Sequence, residues 1–343
     1  MLRMYALFLL FFIHSICRGQ SLQVENLVFE GGGLRGIAYI GALQQLEEFG
    51  IVKQIHRVGG NSAGAIMALM VSLGYTADEI YVILSKVKPW KMKNGHFLFM
   101  GLRYSLSHHY GWYNSRKINH LLEKIIADKT GNADISFAEL TASGYKELSV
   151  MSTCVTKQKA MVLSAKNYPN MKVKDAVLIS CSVPIVYQAV FVDSVGKIYT
   201  HQNKQGNLDI FIDGLITGNY PISMFDGLQI EAPNKVIRIP NYKTLGIQIT
   251  SEKQMQNDNL GNGLLDWQVT GFGDYMKALV CYIFESLNRQ TMTCADWERT
   301  ISLPTLGIGP QLKKLNPEKT IELIRAGKEF TRKYLEEREG NIL

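Results

Sequence analysis

One serine of this chain lies between two glycines in a pattern typical of hydrolytic nucleophiles. Residues 60–64 read Gly-Asn-Ser-Ala-Gly and follow a β-like run at residues 55–58. At a strand-to-helix turn of this kind the backbone of Ser62 is strained, and Gly60 and Gly64 leave room for its hydroxyl to stand clear. The amides at the start of the following helix favour a developing anion. The same five residues also fit an ordinary turn, so the interpretation depends on their neighbours.

A second glycine-rich turn follows the first β-like run of the chain. Residues 31–36 read Gly-Gly-Gly-Leu-Arg-Gly and fit the pattern G-x-G-x-x-G. A dinucleotide site would also need an acidic residue at the end of the second strand. This chain has glycine there, and Glu47 and Glu48 fall inside the helix before it. The alternative is an oxyanion hole made by successive glycine amides beside Ser62, and this interpretation is favoured.

A serine nucleophile needs a group that accepts its proton, and two candidates are open. In α/β-hydrolases the chain order is serine, acid, histidine. No histidine follows His201 in this chain, so such a triad would combine His201 with an earlier acid, of which Asp193 is the nearest. The other candidate is Asp213, which ends a β-like run at residues 208–212 and precedes Gly214. A strand-end carboxylate beside an exposed serine can take its proton directly.

Three motifs together resemble those of the patatin-like phospholipases. They are residues 30–36, residues 60–64 and Asp213-Gly214-Leu215, in the order of that family. Further similar pieces lie at residues 180–184, 219–221, 225–226 and 295–306, so the resemblance extends over residues 25–335.

The resemblance implies a lipid acyl hydrolase, a phospholipase A-type serine esterase that works through a Ser-Asp dyad. Ser62 would attack an ester carbonyl, Asp213 would take its proton, and water would then hydrolyse the acyl-enzyme. The implied oxyanion donors are the backbone amides of Gly31, Gly32, Gly33, Leu34 and Ala63. The remaining motif positions are Gly60, Gly64, Arg35, Gly36 and Gly214. The family implies no metal and no cofactor.

Some features of the motifs leave alternatives. Arg35 either orients the glycine-rich turn or meets a phosphate. Glu30 stands where the family commonly has aspartate, and Leu215 where it usually has glycine or alanine. A side chain as large as leucine could narrow the site, which gives a second hypothesis, a catalytically weak member that binds membranes or lipid. A third hypothesis is an esterase that depends on His201.

The order of elements predicts an α/β fold with three layers, α/β/α, around a mostly parallel sheet. The opening reads βαβα, and Gly50 is predicted to end the first helix. Further helices are predicted at residues 65–73, 77–87, 114–128, 173–180, 264–292 and 318–337. Further strands are predicted at residues 148–156, 159–164, 187–192, 197–199, 235–239 and 245–249. Residues 88–113 and 251–263 show no regular pattern.

The sequence predicts a signal peptide followed by one domain. A positive start and a short apolar run at residues 5–13 are typical of a secretory signal peptide, assigned to residues 1–19. We expect an exported or membrane-associated protein, with the apolar run too short to span a bilayer. Residues 25–230 form the predicted catalytic core, and residues 231–343 complete the same domain.

Composition limits the partners of the protein. Of its 343 residues 46% are hydrophobic, and the net charge is +7. A basic balance suits anionic lipid surfaces. The aromatic and basic residues within 88–113 fit either a membrane interface or a loop packed by its own aromatics. No zinc-type cysteine spacing or Lys/Arg cluster indicates a nucleic-acid partner. Of the five cysteines, Cys281 and Cys294 are the pair proposed for a disulfide, and the sequence leaves the oligomeric state open.

Overall fold

A computed structural model describes residues 23–88, 92, 99–201, 208–232, 235–289, 291–309 and 315–340. The predicted signal peptide and most of residues 89–98 lie outside the described residues. The strands are β1 (Asn26–Phe29), β2 (Arg57–Gly60), β3 (Gly111–Tyr113), β4 (Glu147–Cys154), β5 (Lys159–Ser164), β6 (Ile185–Tyr187), β7 (Val190–Val192), β8 (Ile198–Tyr199), β9 (Asp209–Asp213), β10 (Gly227–Ala232), β11 (Lys235–Ile239), β12 (Thr244–Thr250) and β13 (Thr300–Pro304).

The helices surround these strands. They are α1 (Ala38–Glu48), α2 (Ala63–Ser72), α3 (Ala77–Lys86), α4 (Phe99–His109), α5 (Arg116–Thr130), α6 (Phe137–Ala142), α7 (Val173–Ser180), α8 (Leu215–Gly218), α9 (Glu252–Asn259), α10 (Phe272–Arg289), α11 (Cys294–Glu298) and α12 (Pro317–Gly340). A short 3-10 helix, Gly33–Ile37, precedes α1.

A mixed sheet forms the centre of the molecule. Within the described residues its order is β13-β12-β1-β2-β4-β9-β7-β8, with β5 also paired to β4. The five strands from β13 to β4 are parallel. The strands β9, β7, β8 and β5 join by antiparallel pairing. The predicted α/β class is therefore confirmed, with helices packed against a sheet whose larger part is parallel.

Local signals explain where several helices begin and end. Gly50 has φ 71° in the left-handed region that favours glycine, and it ends α1 as predicted. Thr76 and Glu79 form a capping box at the start of α3, and Ser136 and Glu139 form another at the start of α6. Neither box was predicted from the sequence, although the T-x-x-E and S-x-x-E patterns are present.

Two glycines allow the last helix to lie directly on the first. A Cβ atom at Gly41 of α1 would come 1.8 Å from the carbonyl oxygen of Ile324, and one at Gly327 of α12 would come 2.1 Å from that of Ala38. Any larger side chain would push the two backbones apart. Helix α12 therefore fixes α1, which follows the glycine-rich turn.

Several expectations about regular structure were wrong. Residues 88–113 are not irregular throughout, because they contain α4 and β3. Residues 251–263 contain α9, which is largely polar and so lacks a hydrophobic period. Its start is marked only by Ser251, whose hydroxyl accepts from the amide of Gln254 at 3.2 Å. Helix α10 begins at Phe272, later than predicted.

The proposed disulfide is not formed. Cys281 and Cys294 are both exposed free thiols in this structure. Cys281 lies in α10 and Cys294 begins α11. None of the helices in the described ranges is both long enough and apolar enough to cross a membrane.

Candidate active site

The serine turn has the geometry of a nucleophile elbow. Ser62 lies between β2 and α2 with φ 53° and ψ −121°, a conformation that costs energy for any residue with a side chain. A Cβ atom at Gly60 would come 2.4 Å from the carbonyl oxygen of Gly64. One at Gly64 would come 2.5 Å from the carbonyl oxygens of Phe29 and Glu30. The two glycines are therefore required sterically, as the sequence pattern predicted.

Asp213 is the last residue of β9 and lies beside the elbow. Its side chain is only 1% exposed. Oδ1 accepts hydrogen bonds from Asn61 Nδ2 and from the Leu215 amide, both at 2.9 Å. Oδ2 is buried, and none of the described residues donates a hydrogen bond to it. One carboxylate oxygen is thus held in place and the other keeps its lone pairs.

The environment of Asp213 makes it a stronger base than an ordinary aspartate. Burial raises the pKa of Asp213 to about 6, and hydrogen bonds from Asn61, Ser62 and the Leu215 amide partly offset this effect. The Ser62 hydroxyl is therefore a neighbour that lowers the pKa of Asp213, although it does not reach good hydrogen-bond geometry with Oδ2. Such contacts are commonly long without substrate.

Asn61 connects the elbow to the aspartate, a role that sequence reasoning missed. Its Nδ2 donates to Asp213 Oδ1 at 2.9 Å and to Asn219 Oδ1 at 3.1 Å. Its Oδ1 accepts from Ser180 Oγ at 3.1 Å and from the Gly214 amide at 3.0 Å. Because a buried amide must satisfy its polar atoms, these bonds fix its orientation. The only signal in the sequence is that an asparagine precedes the serine.

Ser180, at the end of α7, anchors the elbow from the other side. Its hydroxyl accepts a 2.9 Å hydrogen bond from the Ser62 amide and donates to Asn61. The amide of Ser62 is therefore already bonded. The resemblance pointed to residues 180–184 without assigning this contact.

The glycine-rich turn supplies some of the expected oxyanion donors, with one correction. The amide of Gly31 donates to the carbonyl oxygen of Asn219 at 2.9 Å, so it is not free to bind an oxyanion. Among the described residues, no acceptor is bonded to four other expected donors, the amides of Gly32, Gly33, Leu34 and Ala63. The last three of these residues line one cavity together with Ser62.

Arg35 supports the turn. Its Nε donates to the carbonyl oxygen of Gly32 at 3.2 Å, which favours the loop-orienting interpretation over phosphate binding. Gly36 borders the same cavity, and a Cβ atom there would lie 3.4 Å from that of Ala63, at ordinary contact distance.

A second buried carboxyl lies at the start of the turn. Oε1 of Glu30 accepts from Asn219 Nδ2 at 3.0 Å, and Oε2 accepts from the Ile249 amide at 2.7 Å. Burial raises the pKa of Glu30 to about 7. Asn219 Nδ2 also donates to the carbonyl oxygen of Gly31 at 3.0 Å. Sequence reasoning noted Glu30 only as a departure from the family pattern.

An apolar cavity of about 250 Å³ opens beside Ser62. Helices α2, α3 and α5 contribute aliphatic side chains to its wall, which include Met67, Leu84, Ile118 and Leu121. Few polar groups face it. Burial of apolar surface is favourable by about 25 cal/mol per Å², so the cavity suits a hydrocarbon chain attached to the reacting carbonyl.

The remaining candidates do not assemble a histidine triad. His201 is exposed, and its Nδ1 lies 3.1 Å from Thr200 Oγ1. Asp193 accepts from the amides of Val195 and Lys197 in a turn. Within the described part of the chain, no histidine lines the cavity.

Leu215 contributes its amide to Asp213, while its side chain is not part of the cavity wall, so it does not narrow that cavity.

In the described ranges, no group of three or more His, Cys, Asp or Glu side chains could hold a metal ion.

The chain matches the model of a known protein family. The family model described as patatin-like phospholipase matches residues 27–226, more than half of the chain. The matched region contains the glycine-rich turn, the elbow and Asp213.

Three of the similar proteins come from two viruses and a bacterium. An uncharacterized mimivirus protein, R571 of Acanthamoeba polyphaga mimivirus, is 28% identical over 75% of this chain and 75% of its own length. The uncharacterized Bacillus subtilis protein YqhO is 29% identical over 58% of this chain and 65% of its own. A protein named probable lipid hydrolase 463L, from Invertebrate iridescent virus 6, is 28% identical over 58% of this chain and 62% of its own. This chain thus spans less than two thirds of the last two.

One solved structure shares the fold. The crystal structure of VipD from Legionella pneumophila aligns with 92% of this chain and 67% of its own, at a TM-score of 0.55 and 17% identity.

Proposed function

The chain belongs to the patatin-like phospholipase family, and we propose that it cleaves acyl ester bonds of phospholipids or related lipids with Ser62 and Asp213. The observation that carries the proposal is the placement of a strained serine between a buried carboxylate and an apolar cavity. The carboxylate supplies the base, and the cavity suits an acyl chain. The name of the relative 463L, probable lipid hydrolase, is in keeping with it.

The first chemical step is attack of the Ser62 oxygen on the ester carbonyl. Asp213 takes the hydroxyl proton on Oδ2, the oxygen that keeps its lone pairs. A pKa of about 6 for Asp213 suits this task, because the group is ionised at neutral pH and yet more basic than a solvated aspartate.

The negative oxygen of the tetrahedral intermediate needs donors that are already in place. The candidates are the amides of Gly32, Gly33, Leu34 and Ala63, from the turn and the start of α2, none of which is bonded to an acceptor among the described residues. Loss of one such donor typically costs about 10²–10³ in rate. Collapse of the intermediate returns the proton from Asp213 to the leaving alcohol and leaves the acyl group on Ser62.

Water completes the cycle. Asp213 takes a proton from water, the hydroxide adds to the acyl carbonyl, and the Ser62 oxygen leaves with the proton returned to it. The acyl chain stays in the apolar cavity through both steps and then departs as a fatty acid.

The test compares two serine variants on defined phospholipids. We expect Ser62→Ala to lower fatty-acid release at least about a thousandfold and to abolish labelling by a fluorophosphonate probe. Ser85→Ala is the matched control, because its exposed hydroxyl only bonds the carbonyl oxygen of Val82. Fatty-acid release by Ser62→Ala at the wild-type rate would overturn the proposal. A wild-type protein that binds lipid vesicles and resists the probe would be the catalytically weak lipid binder.

A further inference from the structure

Two buried carboxyl groups lie at opposite ends of one chain of hydrogen bonds. Glu30 Oε1 accepts from Asn219 Nδ2 at 3.0 Å. Asn219 Oδ1 accepts from Asn61 Nδ2 at 3.1 Å, and the same Nδ2 donates to Asp213 Oδ1 at 2.9 Å. We call Asn61 and Asn219 the asparagine bridge.

The bonds around Glu30 fit its ionised form. Both carboxyl oxygens accept, one from Asn219 and one from the Ile249 amide. A proton on either oxygen would face a donor. Glu30 is buried, and burial is the main cause that raises its pKa, because a buried charge is costly. Glu30 takes no part in the chemical steps, so the role of this buried carboxylate must lie in its hydrogen bonds.

The hydrogen-bond polarity of the asparagine bridge supplies that role. Because a carboxylate only accepts, Glu30 requires the Nδ2 of Asn219 on its side. Asn219 then presents Oδ1 to Asn61, which in turn must present Nδ2. That same Nδ2 reaches Asp213, and Oδ1 of Asn61 reaches Gly214 and Ser180. The Gly31 carbonyl oxygen, which accepts from Asn219 Nδ2, and the Gly214 amide, which donates to Asn61 Oδ1, reinforce the same two orientations.

The glycine-rich turn depends on the same groups. Asn219 donates from Nδ2 to the Gly31 carbonyl oxygen, and its own carbonyl oxygen accepts from the Gly31 amide. The carbonyl oxygen of Glu30 accepts from the hydroxyl of Tyr39 at 2.6 Å. The start of the loop that carries the oxyanion donors is thus fixed by Glu30 and Asn219 together.

We propose that Glu30 is a positioning residue, whose carboxylate sets the amide orientations of the asparagine bridge and so aligns Asp213 with the oxyanion donors. The inference rests on the proposed function. Without the carboxylate, only the Gly31 carbonyl oxygen holds Asn219 Nδ2 away from Asn61. When Asn219 turns, Asn61 loses one acceptor of its Nδ2, and the hydrogen bond from that Nδ2 to Asp213 is no longer held in line.

The proposal predicts two ionisations on the acid side of the pH profile. The pKa of Glu30 is raised to about 7 and that of Asp213 to about 6, in each case chiefly by burial. The groups that face Glu30 are Arg35, Tyr39, Tyr220, Glu285 and Arg289. Of these, Glu285 raises the pKa of Glu30, while Arg35 and Arg289 lower it. Activity should therefore fall with both groups as they become protonated below about pH 7.

The test uses Glu30→Gln, with Glu30→Asp as the conservative variant and Asp175→Asn as the matched control. Asp175 is also buried, with its pKa raised to about 6, and its side chain takes no part in the hydrogen bonds of the asparagine bridge. We expect Glu30→Gln to slow fluorophosphonate labelling of Ser62 about tenfold or more. The fall of its labelling rate at acid pH should depend on one ionisation, where that of the wild type depends on two. Glu30→Asp should label more slowly but keep both ionisations, and Asp175→Asn should match the wild type in rate and pH dependence.

A second measurement needs no catalysis. The side-chain amide NMR signals of Asn219 should shift with a midpoint near pH 7 in the wild-type protein, as Glu30 titrates. In Glu30→Gln this transition should be absent, and only the change near pH 6 that Asp213 causes at Asn61 should remain. Two results would overturn the proposal. One is Asn219 amide signals that do not change near pH 7 in the wild type, and the other is an unchanged labelling rate and pH dependence in Glu30→Gln. If wild-type protein shows the amide titration and no ester hydrolysis, the proposed function fails and the role of Glu30 in the bridge stands.

Discussion

Ser62 and Asp213 come from two halves of the sheet that are built differently. The serine follows β2, in the half where five strands run parallel. Its position is set by backbone sterics, because Gly60 and Gly64 are packed against carbonyl oxygens with no room for a Cβ atom.

The aspartate comes from the half where strand directions alternate. Strand β9 runs antiparallel to β4, so it ends where β2 also ends: Asp213 is paired with Ser152, and Gly60 with Val150. Side-chain and loop hydrogen bonds hold Asp213, rather than tight backbone contacts.

The difference separates two kinds of constraint. Steric exclusion around Ser62 does not change with pH, and breaking it should disturb the fold. Hydrogen bonds to Asp213 change its pKa, and breaking one should disturb the chemistry first. Substitutions on each side can test this separation.

The largest effect is expected for Asp213→Asn. Removing the base should lower ester hydrolysis by about 10²–10⁴. The same change should stabilise the protein above about pH 6. Burial raises the pKa of Asp213 from 3.8 to about 6, so the ionised carboxylate lowers the free energy of unfolding as the pH rises through this window. Removing that charge should add about 3 kcal/mol near pH 8 in urea unfolding.

Asp175→Asn is the matched control for this prediction. Its pKa is likewise raised to about 6 by burial, so it should also gain stability at high pH, and it should keep wild-type hydrolysis. If Asp213→Asn were less stable than the wild type near pH 8, the carboxylate would not be the costly group that the structure indicates.

An intermediate effect is expected for Gly64→Ala on the serine side. The new Cβ atom would come 2.5 Å from the carbonyl oxygens of Phe29 and Glu30, at the end of β1. We expect a loss of roughly 1–3 kcal/mol in the free energy of unfolding, together with lower hydrolysis. Gly271→Ala is the control, because a Cβ atom there meets nothing within 4 Å. Equal melting temperatures for the two variants would contradict steric control of the elbow.

The smallest effect is expected for Asn61→Ala, which acts where the two halves meet. Asn61 is the hydrogen-bond partner that most lowers the pKa of Asp213. Its removal should move the Asp213 ionisation upward from about 6 and lower hydrolysis about tenfold at neutral pH. The pH dependence of fatty-acid release measures this shift. If fatty-acid release by the variant fell at the same acid pH as in the wild type, the two halves would not be coupled through Asn61.

The serine half was readable from the sequence because its constraints are local. Glycines at fixed spacing around Ser62, short apolar strands and Gly50 at the end of α1 all lie within a few residues of what they determine. The steric reason for Gly60 and Gly64 follows from the elbow pattern alone.

The hydrogen-bond network of the aspartate half was not readable, although the motif resemblance did identify Asp213. Its contacts join residues far apart in the chain, such as Asn61 with Asp213 and Glu30 with Asn219, and residue type does not reveal such pairs. For the same reason Gly31 was assigned as an oxyanion donor, while its amide is bonded to Asn219. Strand β13 and helix α9 were missed because neither has a clear hydrophobic period. Strand β13 is short, and α9 is largely polar.

The place of β1 between β2 and β12 has a consequence for the synthesis of the protein. β1 ends at Phe29, and β12, which pairs with it and holds Glu30 through Ile249, begins about 215 residues later at Thr244. At about 5–20 residues per second, roughly 10–40 s pass at the ribosome before the partner strand exists. During that time β1 has an open edge, which is a template for aggregation, and the glycine-rich turn lacks its anchor. We therefore expect the nascent enzyme to be inactive toward lipids until most of its chain has been made.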